Sequence, residues 1–319
     1  MQELDQYFTS LFRELEPKTL YEPIEYTLTQ SGKRLRPQMV FHVVEMFDGD
    51  LSQASHVAAA FEMLHNFTLI HDDIMDEAPI RRGVPTVYKQ WSTNRAILSG
   101  DALAIMAFQQ LLKLQVPART ILNISKVFSD CTLEICEGQQ YDMDFEMQEE
   151  VTIAEYLRMI YLKTAVMFAG CLKSGAILAG ADEQSQEALY NVGINLGIAF
   201  QLSDDLLDVY ADEHVFGKSV GSDIRDNKKT FLYLKALEQA SADDKATLKH
   251  CFQTSDMDFE RKFNTITAIY EKLQIAEKTQ SEIHVYLQKS QEALQKVQVS
   301  AEKKAVLMQY IANLEKRSK

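Results

Sequence analysis

The sequence contains few cysteines and no excess of basic residues, and each shortage excludes a class of protein. Its four cysteines form no Cys-x-x-Cys pair and are too sparse for a disulfide framework in a chain of 319 residues. We therefore expect reduced thiols and a cytoplasmic protein. The formal net charge of -13 argues against nucleic acid as the main partner, because phosphate backbones are bound by basic faces. A small phosphorylated ligand remains compatible, provided that a local basic cluster or bound cations meet its charge.

Long hydrophobic runs are also lacking. The most apolar stretch, residues 165–181, is interrupted by Lys173 and rich in glycine, so it is a poor candidate for a membrane-spanning helix. The N-terminal residues MQELDQYFTSLF have neither the basic start nor the apolar run of a signal peptide. The sequence therefore predicts a soluble protein with no stable membrane insertion.

Proline is confined to the first part of the chain. All six prolines lie at or before Pro117, which leaves the remainder free to form long helices. Apolar residues recur at spacings of three and four in the segments 52–74, 96–114, 127–141, 153–178, 185–210 and 229–240. Strand signals are nearly absent. The pattern predicts an all-α bundle and, since no break is long or biased enough to be a linker, a single domain over residues 1–319.

One short acidic motif, Asp-Asp-x-x-Asp, occurs twice, each time at the end of an apolar segment. Its members are Asp72, Asp73, Asp76, Asp204, Asp205 and Asp208. On a helix the first and last aspartates of a copy lie on the same face, one turn apart. A single copy is often only a solvated helix end and arises by chance in about 7% of chains of this length, whereas two copies arise in roughly 0.5%.

The clustered carboxylates predict bound cations. Acidic groups at the C-terminal end of a helix repel one another and oppose the helix dipole, and a cation removes that penalty. Magnesium suits such a site, because it prefers oxygen ligands and is usually held by a few carboxylates, waters and substrate phosphates. Two acidic edges that face each other would hold a diphosphate through bridging metal ions, which would neutralise the charge on a departing diphosphate.

Two dense basic clusters stand out in this acidic chain. They are Gly-Lys-Arg-Leu-Arg-Pro at 32–37 and Arg81-Arg82-Gly83, which follows the first acidic motif. Arginine binds phosphate oxygens in pairs, and lysine supplies a point charge. Either cluster alone is more often plain surface charge. Beside two acidic edges they favour a diphosphate site.

Together these residues resemble the trans-isoprenyl diphosphate synthases, the polyprenyl synthetase family that includes farnesyl and geranylgeranyl diphosphate synthases. Six motifs occur in the family's order: GKRLRP at 32–37, LIHDDIMDEAPIRRG at 69–83, EGQQYD at 137–142, KTA at 163–165, FQLSDDLLD at 200–208 and GKSVGSDIRDNKKT at 217–230. The resemblance covers most of the chain. It implies a helical bundle of the isoprenoid synthase type around a central cavity, a magnesium-dependent prenyltransferase and a homodimer.

The resemblance also implies roles for the matching residues. The two acidic motifs would bind about three magnesium ions. The pocket for isopentenyl diphosphate would be formed by Lys33, Arg36, His65 and Arg82. The allylic diphosphate would be bound by Arg81, Lys163, Lys218 and Lys228. Thr164 and Gln201 would face the developing allylic cation, supported by Gln139 and Asp142.

Some of these residues have a plain structural alternative. His65 taken alone is more often a core or surface histidine, and Lys228 is equally compatible with solvated charge. The hydroxyl of Thr164 is equally compatible with a hydrogen bond to its own helix. The basic tail, residues 314–319, resembles the C-terminus that closes over the site in this family, and a disordered surface tail is the alternative.

Product length would be set along the helix that precedes Asp72. One isoprene unit is about as long as one helix turn, roughly 5 Å, so a bulky side chain one or two turns before the aspartates would stop the growing chain. Phe67 is the candidate floor, with Thr68 beside it and Leu64 deeper. An aromatic residue there suggests a product of fifteen or twenty carbons. Thr68, where animal farnesyl synthases carry a second aromatic residue, favours twenty.

Other functions stay open at this point. A synthase of longer polyprenyl chains shares all of these motifs. A terpene cyclase usually replaces the second acidic motif with a mixed Asn/Ser/Glu triad, and a regulatory subunit tends to lose aspartates from one motif. All six aspartates are present here, which favours an active synthase.

Overall fold

The computed structural model describes residues 2–12, 14–30, 32–211, 220–254 and 257–317, and these are helical apart from one small hairpin. The N-terminal elements are α1 (Gln2–Leu11), α2 (Lys18–Thr29), α3 (Leu35–Met46), α4 (Leu51–Met75), the antiparallel strands β1 (Ile80–Arg81) and β2 (Val84–Pro85), α5 (Val87–Gln90) and α6 (Thr93–Leu111). The middle elements are α7 (Ala118–Met147), α8 (Ile153–Ile160), a π-helical turn (Tyr161–Ala165), α9 (Val166–Leu178) and α10 (Glu183–Tyr210). The last elements are α11 (Ser222–Arg225), α12 (Phe231–Gln239), α13 (Ala242–Gln253), α14 (Phe259–Lys272), α15 (Ile275–Gln295) and α16 (Ala301–Arg317).

Local sequence explains where several helices begin. The Asp50 carboxylate accepts from the Ser52 amide at the start of α4, and the Ser92 hydroxyl accepts from the Arg95 amide at the start of α6. At α8, Thr152 and Glu155 form a reciprocal capping box. These side chains satisfy amide groups that a helix start leaves without a partner inside the helix.

The predicted all-α fold is confirmed, with two local differences. Helix α4 covers the predicted segment 52–74 and α10 covers 185–210. The predicted helix 153–178 is not uniform, because a π-helical turn separates α8 from α9. After the first acidic motif the chain forms the β1–β2 hairpin, which no strand signal in the sequence had indicated.

The contacts within the chain define two compact units. Unit 1 comprises residues 1–132, 170–190 and 297–304, and unit 2 comprises residues 133–169, 191–296 and 305–319. Helices α7, α9, α10 and α16 each contribute residues to both units. A single domain over residues 1–319 stays a prediction.

Unit 1 is built around α4, which packs against α3 and α6. The middle of α4 is buried on every side, from Val57 to Leu64. Within this core the Phe61 ring packs edge to face on Phe128, with centroids 5.4 Å apart. Burial on all sides fixes α4, and its C-terminal end carries the first acidic motif.

Unit 2 contains the π-helical turn, against which neighbouring helices pack at glycines. A Cβ atom at Gly138 of α7 would lie 2.3 Å from the Lys163 amide nitrogen, and one at Gly197 of α10 would lie 2.5 Å from the Ala165 Cα. Only glycine permits such close backbone approach. Each glycine lies one helix turn before a predicted site residue, Asp142 on α7 and Gln201 on α10, and so helps to place it.

One described segment, Ile153–Leu178, is long and apolar enough to cross a membrane by composition. Of its most apolar window, 78% is buried inside the protein. That degree of burial is typical of a core helix in a soluble protein.

Candidate active site

The first acidic motif ends α4, and its three aspartates differ in exposure. Asp76 is exposed, Asp72 is half-buried and Asp73 is buried. The Arg81 guanidinium from β1 donates to Asp73 Oδ1 through Nε at 2.6 Å, and its Nη2 lies 3.7 Å from Asp72 Oδ2. Arg81 therefore neutralises part of an acidic edge whose carboxylates would otherwise repel one another.

Burial raises the pKa of Asp73 to about 6, although Arg81 acts in the opposite direction. The charges of Asp72 and Asp76 add to the increase. Burial and the two neighbouring carboxylates therefore disfavour a third negative charge at this helix end. A cation at the edge would favour the ionised form of Asp73, because a nearby positive charge lowers the pKa of a carboxyl group.

The β1–β2 hairpin separates its two arginines. Arg82 and Gly83 both have positive φ, 53° and 80°, and they lie between the paired residues Arg81 and Val84, as in a tight type I′ turn. Arg81 lies in β1 and contacts the acidic edge, whereas the Arg82 guanidinium lies close to Gly32. A Cβ atom at Gly32 would be 3.3 Å from Arg82 Nη1, so a side chain there would crowd the arginine.

Arg36 and His65 form a second contact of the predicted isopentenyl diphosphate pocket. Arg36 Nη1 lies 3.1 Å from His65 Nε2. Because arginine only donates, Nε2 accepts and the proton of the neutral ring lies on Nδ1. Burial, followed by the charges of Arg36, Arg82, Arg81 and Arg34, holds the pKa of His65 well below its usual range. Lys33 is exposed, and its place in this pocket stays a prediction.

A buried ion pair beneath these residues was not foreseen from the sequence. Arg34 is buried, and its Nη1 donates to Glu62 Oε1 at 2.5 Å while Nη2 donates to the Leu28 carbonyl oxygen. Asn66 Nδ2 adds a hydrogen bond to the Glu62 carbonyl oxygen at 2.7 Å. Glu62 is a charged residue inside the apolar segment 52–74, and this could have indicated a buried ion pair. Arg34 thus supports the fold, whereas the neighbouring Arg36 contacts His65.

The second acidic motif lies near the end of α10, where Asp205 is completely enclosed. The Tyr156 hydroxyl donates to Asp205 Oδ2, and Gln201 Nε2 donates to Asp205 Oδ1 at 3.0 Å. Burial raises the pKa of Asp205 to about 7, although both hydrogen bonds act in the opposite direction. Tyr156 is a site residue that the sequence analysis missed, because no motif marks it.

The other two aspartates of this motif have different surroundings. Asp204 is half-buried. Asp208 is buried and accepts from the Ser222 hydroxyl and, at 3.0 Å, from the Asp223 amide, so it holds the start of α11. Ser222 and Asp223 lie inside a predicted motif, although neither was predicted as a site residue.

Lys163 and Thr164 both lie in the π-helical turn. Lys163 Nζ donates to Asp142 Oδ2 at 2.6 Å, and Thr164 Oγ1 donates to Gln201 Oε1 at 3.0 Å. A side-chain hydrogen bond of Thr164 to α10 replaces the alternative in which its hydroxyl bonds its own helix. The side-chain nitrogen of Gln139 is buried without a hydrogen-bond partner among the described residues, and the supporting role of Gln139 stays a prediction. π-Helical turns are frequent at functional sites.

These side chains line one cleft in unit 2. Its lining includes Asp142, Tyr156, Lys163, Thr164, Gln201, Asp205 and Lys228. The loop that carries Lys228 is held by its neighbours, since Lys229 Nζ donates to the carbonyl oxygens of Phe145 and Gln148 at the end of α7. Lys262 is buried and donates to Asn227 Oδ1 at 2.5 Å. Lys218 lies outside the described residues, as does the end of the basic tail.

The predicted chain-length residues precede Asp72 on α4. The half-buried Phe67 ring packs edge to face on His71, with centroids 4.9 Å apart, and His71 Nε2 donates to the Ile97 carbonyl oxygen of α6 at 3.1 Å. Thr68 Oγ1 bonds the His65 carbonyl oxygen, and Leu64 is buried. Their role in product length stays a prediction.

The donor set fits a hard cation, although it forms no complete cage. No group of three or more His, Cys, Asp or Glu side chains converges as a metal site within the described residues. The oxygen donors fit magnesium, which usually takes one or two carboxylates and completes its shell with waters and substrate phosphates. Asp72 at the end of α4, Asp76 just after that helix and Asp204 on α10 have the accessibility that such a ligand needs.

Comparison with known proteins identifies relatives over most of the chain. Residues 17–272 match the model of the polyprenyl synthetase family. The chain is 42% identical to the short chain isoprenyl diphosphate synthase of Methanothermobacter thermautotrophicus, over 76% of this chain and 75% of that one. It is 44% identical to the geranylgeranyl diphosphate synthase of Sulfolobus acidocaldarius, over 71% and 69% of the two chains. A crystal structure of geranylgeranyl pyrophosphate synthase superposes with a TM-score of 0.94 at 42% identity, covering 99% of this chain and 97% of that one.

Proposed function

The chain belongs to the polyprenyl synthetase family, and we propose that it condenses isopentenyl diphosphate head to tail with an allylic diphosphate. The product would be a short trans-isoprenyl diphosphate. One observation carries this proposal: Thr164 and Gln201, both assigned from the sequence to the allylic cation, share a hydrogen bond in the cleft that also contains Lys163 and Lys228. The ammonium groups of the lysines suit the departing diphosphate anion, and the neutral oxygens of Thr164 and Gln201 suit the allylic cation that remains.

The residues of the cleft would act on the allylic substrate. Lys163 and Lys228 would bind the diphosphate as it departs, and Lys163 would then exchange its contact with Asp142 for phosphate oxygens. The oxygens of Thr164 and Gln201 would stabilise the allylic cation. Magnesium would be bound at each acidic motif, through Asp72 and Asp76 in the first and through Asp204 in the second, and it would neutralise charge on a diphosphate leaving group.

The isopentenyl diphosphate would be bound by Arg36, His65 and Arg82 in unit 1. These groups are basic or neutral, and the buried Glu62 beneath them is already paired with Arg34. Such a set suits a diphosphate that is bound directly, without metal ions. Because arginines are always protonated, this binding would persist across the physiological pH range.

The reaction is tested with purified protein, labelled isopentenyl diphosphate, magnesium chloride and a primer of five, ten or fifteen carbons. We expect magnesium-dependent incorporation of label into longer diphosphates, lost in Asp204→Asn. Asp243→Asn, which changes an exposed aspartate in the first turn of α13, is the matched control and should retain full activity. Absence of any elongated product from the unaltered protein with all three primers would refute the proposal.

We propose a C20 main product, with Phe67 as the floor that stops elongation. Its ring lies between the acidic end of α4 and the buried Leu64, supported by His71. Phe67→Ala should lengthen the main product by at least one isoprene unit, as read by chromatography of the dephosphorylated alcohols. An unchanged product distribution would leave the chain-length assignment without support.

The presence of all six motif aspartates disfavours the two other functions considered, a terpene cyclase and a regulatory subunit.

We also propose a homodimer that uses an apolar stripe on α6 and on the residue that caps its C-terminal end. Leu98, Ile105 and Leu112 recur every seven residues and are 60%, 64% and 61% exposed. Residues seven apart lie on one face of a helix, so the three form a continuous apolar surface. A second copy of the chain would bury this surface, which in a soluble monomer would favour aggregation.

A further inference from the structure

Tyr156 is a buried tyrosine whose hydroxyl has one clear partner. It lies in α8, is 2% exposed and donates to Asp205 Oδ2. Burial, and next the negative charge of Asp205, hold the pKa of Tyr156 well above its ordinary value. The hydroxyl therefore keeps its proton and acts as a donor. Asp205 is itself 3% exposed, so its orientation depends on the donors that reach it.

The second donor to Asp205 determines how the Gln201 amide is oriented. Ionised Asp205 only accepts hydrogen bonds, so in that state the group 3.0 Å from its Oδ1 is the amide nitrogen of Gln201. The amide oxygen then points away from Asp205 and lies 3.0 Å from Thr164 Oγ1. Since an amide oxygen only accepts, Thr164 must donate its single proton to Gln201.

This arrangement fixes the direction of the Thr164 hydroxyl dipole. With the proton directed at Gln201, the lone pairs of Thr164 Oγ1 point away from Gln201. The oxygen, rather than the proton, is then available to positive charge in the cleft. A dipole that is oriented before the reaction stabilises a developing charge without the cost of turning during the reaction.

We propose that Tyr156 is a positioning residue that sets this polarity. By holding Asp205 it holds the Gln201 amide, and through the amide it holds the Thr164 hydroxyl with its oxygen toward the allylic cation. The inference rests on the proposed prenyl transfer. Without the tyrosine hydroxyl, Asp205 can turn, the Gln201 amide can flip, and Thr164 can direct its proton at the cation. That change would raise the barrier to ionisation and leave isopentenyl diphosphate binding as it was.

A double-mutant cycle between Tyr156→Phe and Thr164→Val tests the proposal, because a residue that acts mainly through Thr164 loses most of its effect when the hydroxyl is gone. We expect Tyr156→Phe to lower kcat about tenfold in the unaltered background and only about threefold in the Thr164→Val background, where the Gln201 oxygen alone remains to be displaced. KM for isopentenyl diphosphate should be unchanged in both. Tyr270→Phe removes the hydroxyl of another fully buried tyrosine in unit 2 and should leave kcat unchanged.

The outcomes separate positioning from a structural role. Equal reductions of kcat in both backgrounds, or a fall in melting temperature with unchanged kcat, would overturn the inference. Should Tyr156→Phe fail to fold, the pair Tyr156→Phe with Asp205→Asn removes the hydroxyl together with the charge it faces and is compared in the same two backgrounds. An unaltered protein with no condensing activity would refute the proposed function, whereas an active one with an additive cycle would refute only the role of Tyr156.

Discussion

Arg82 adopts a backbone conformation that a side chain makes costly. Its φ of 53° places it in the left-handed region, where a residue other than glycine costs of order 1–3 kcal/mol. Gly83 follows with φ of 80°, so the hairpin needs left-handed backbone at both turn positions. The cost is retained at a position where the side chain is proposed to bind a diphosphate. Strained residues of this kind cluster at binding sites.

Arg82→Gly should therefore separate stability from binding. We expect the free energy of unfolding to rise by up to about 1 kcal/mol as the strain is relieved. KM for isopentenyl diphosphate should rise at least tenfold, because a charge-assisted contact to phosphate is lost. Gln274→Gly is the matched control, since Gln274 has a φ of 54° at the start of α15 and lies outside the site. It should show the stability change without the change in KM; equal KM values for the two variants would contradict the assignment of Arg82.

His65 should take up a proton when isopentenyl diphosphate binds. In the free protein burial and the surrounding arginines hold its pKa well below the ordinary 6.5, so the folded state favours the neutral ring. Two negative phosphates beside the ring oppose the effect of the surrounding arginines and raise that pKa. Calorimetric titrations near pH 6 in two buffers of different ionisation enthalpy would measure the uptake. The uptake should disappear in His65→Gln and persist in His42→Gln, which removes another histidine with a lowered pKa.

The same histidine makes folding stability depend on pH. Below pH 6.5 the unfolded chain binds a proton at this position more readily than the folded chain, whose pKa is lowered, so acidification favours the unfolded state. The contribution of His65 to stability is fully present above about pH 6.5 and is lost as the pH falls toward the lowered folded pKa. Ligand binding, which raises the folded pKa, should reduce this loss.

At the scale of single elements, much of the helical pattern could be predicted from the sequence. The spacing of apolar residues in 52–74 predicts a helix that the structure extends by only one residue at each end, because Asp50 provides a local cap. The π-helical turn could not be predicted in this way. It lies where Gly138 and Gly197 allow two other helices to approach, and that packing joins residues far apart in the sequence.

In the candidate site, too, local relations could be predicted from the sequence and contacts between distant elements could not. Residues related by a fixed spacing on one helix, such as Gln201 and Asp205, follow from the sequence because their geometry is local. Tyr156 and Glu62 do not, since each is defined by a partner on another element. The β1–β2 hairpin also went unrecognised, because two paired residues per strand leave no periodic signal.

The stripe on α6 predicts how the chain associates. Replacing Leu98, Ile105 and Leu112 together by glutamine removes apolar surface that is already exposed in the single chain, so the fold should tolerate it. We expect the unaltered protein to elute as a dimer in size-exclusion chromatography with light scattering, and the triple variant as a monomer. The control replaces the exposed Val285 and Val306, which lie on α15 and α16, by glutamine and should remain dimeric. A dimeric triple variant would place the interface elsewhere.

At the scale of the whole molecule, negative charge dominates, and the two acidic motifs concentrate it. A net charge of -13 attracts divalent cations generally, so stabilisation by magnesium is informative only if it depends on the motifs. The raised pKa values of Asp73, about 6, and Asp205, about 7, show that each motif resists complete ionisation without a cation. Magnesium and protons therefore compete for these helix ends.

Magnesium should stabilise the folded protein, and more strongly at pH 8 than at pH 6. A ligand at 100 times its Kd that binds only the folded state adds about 2.7 kcal/mol. As the pH falls through 7 and then 6, Asp205 and Asp73 take up protons that the cation must displace, so the gain shrinks. Melting temperatures with magnesium chloride and with sodium chloride of equal ionic strength measure the effect at both pH values. The gain should be lost in a variant with Asp72→Asn and Asp204→Asn and kept in Asp243→Asn; equal gains in both variants would mean that the cation acts on the general surface charge.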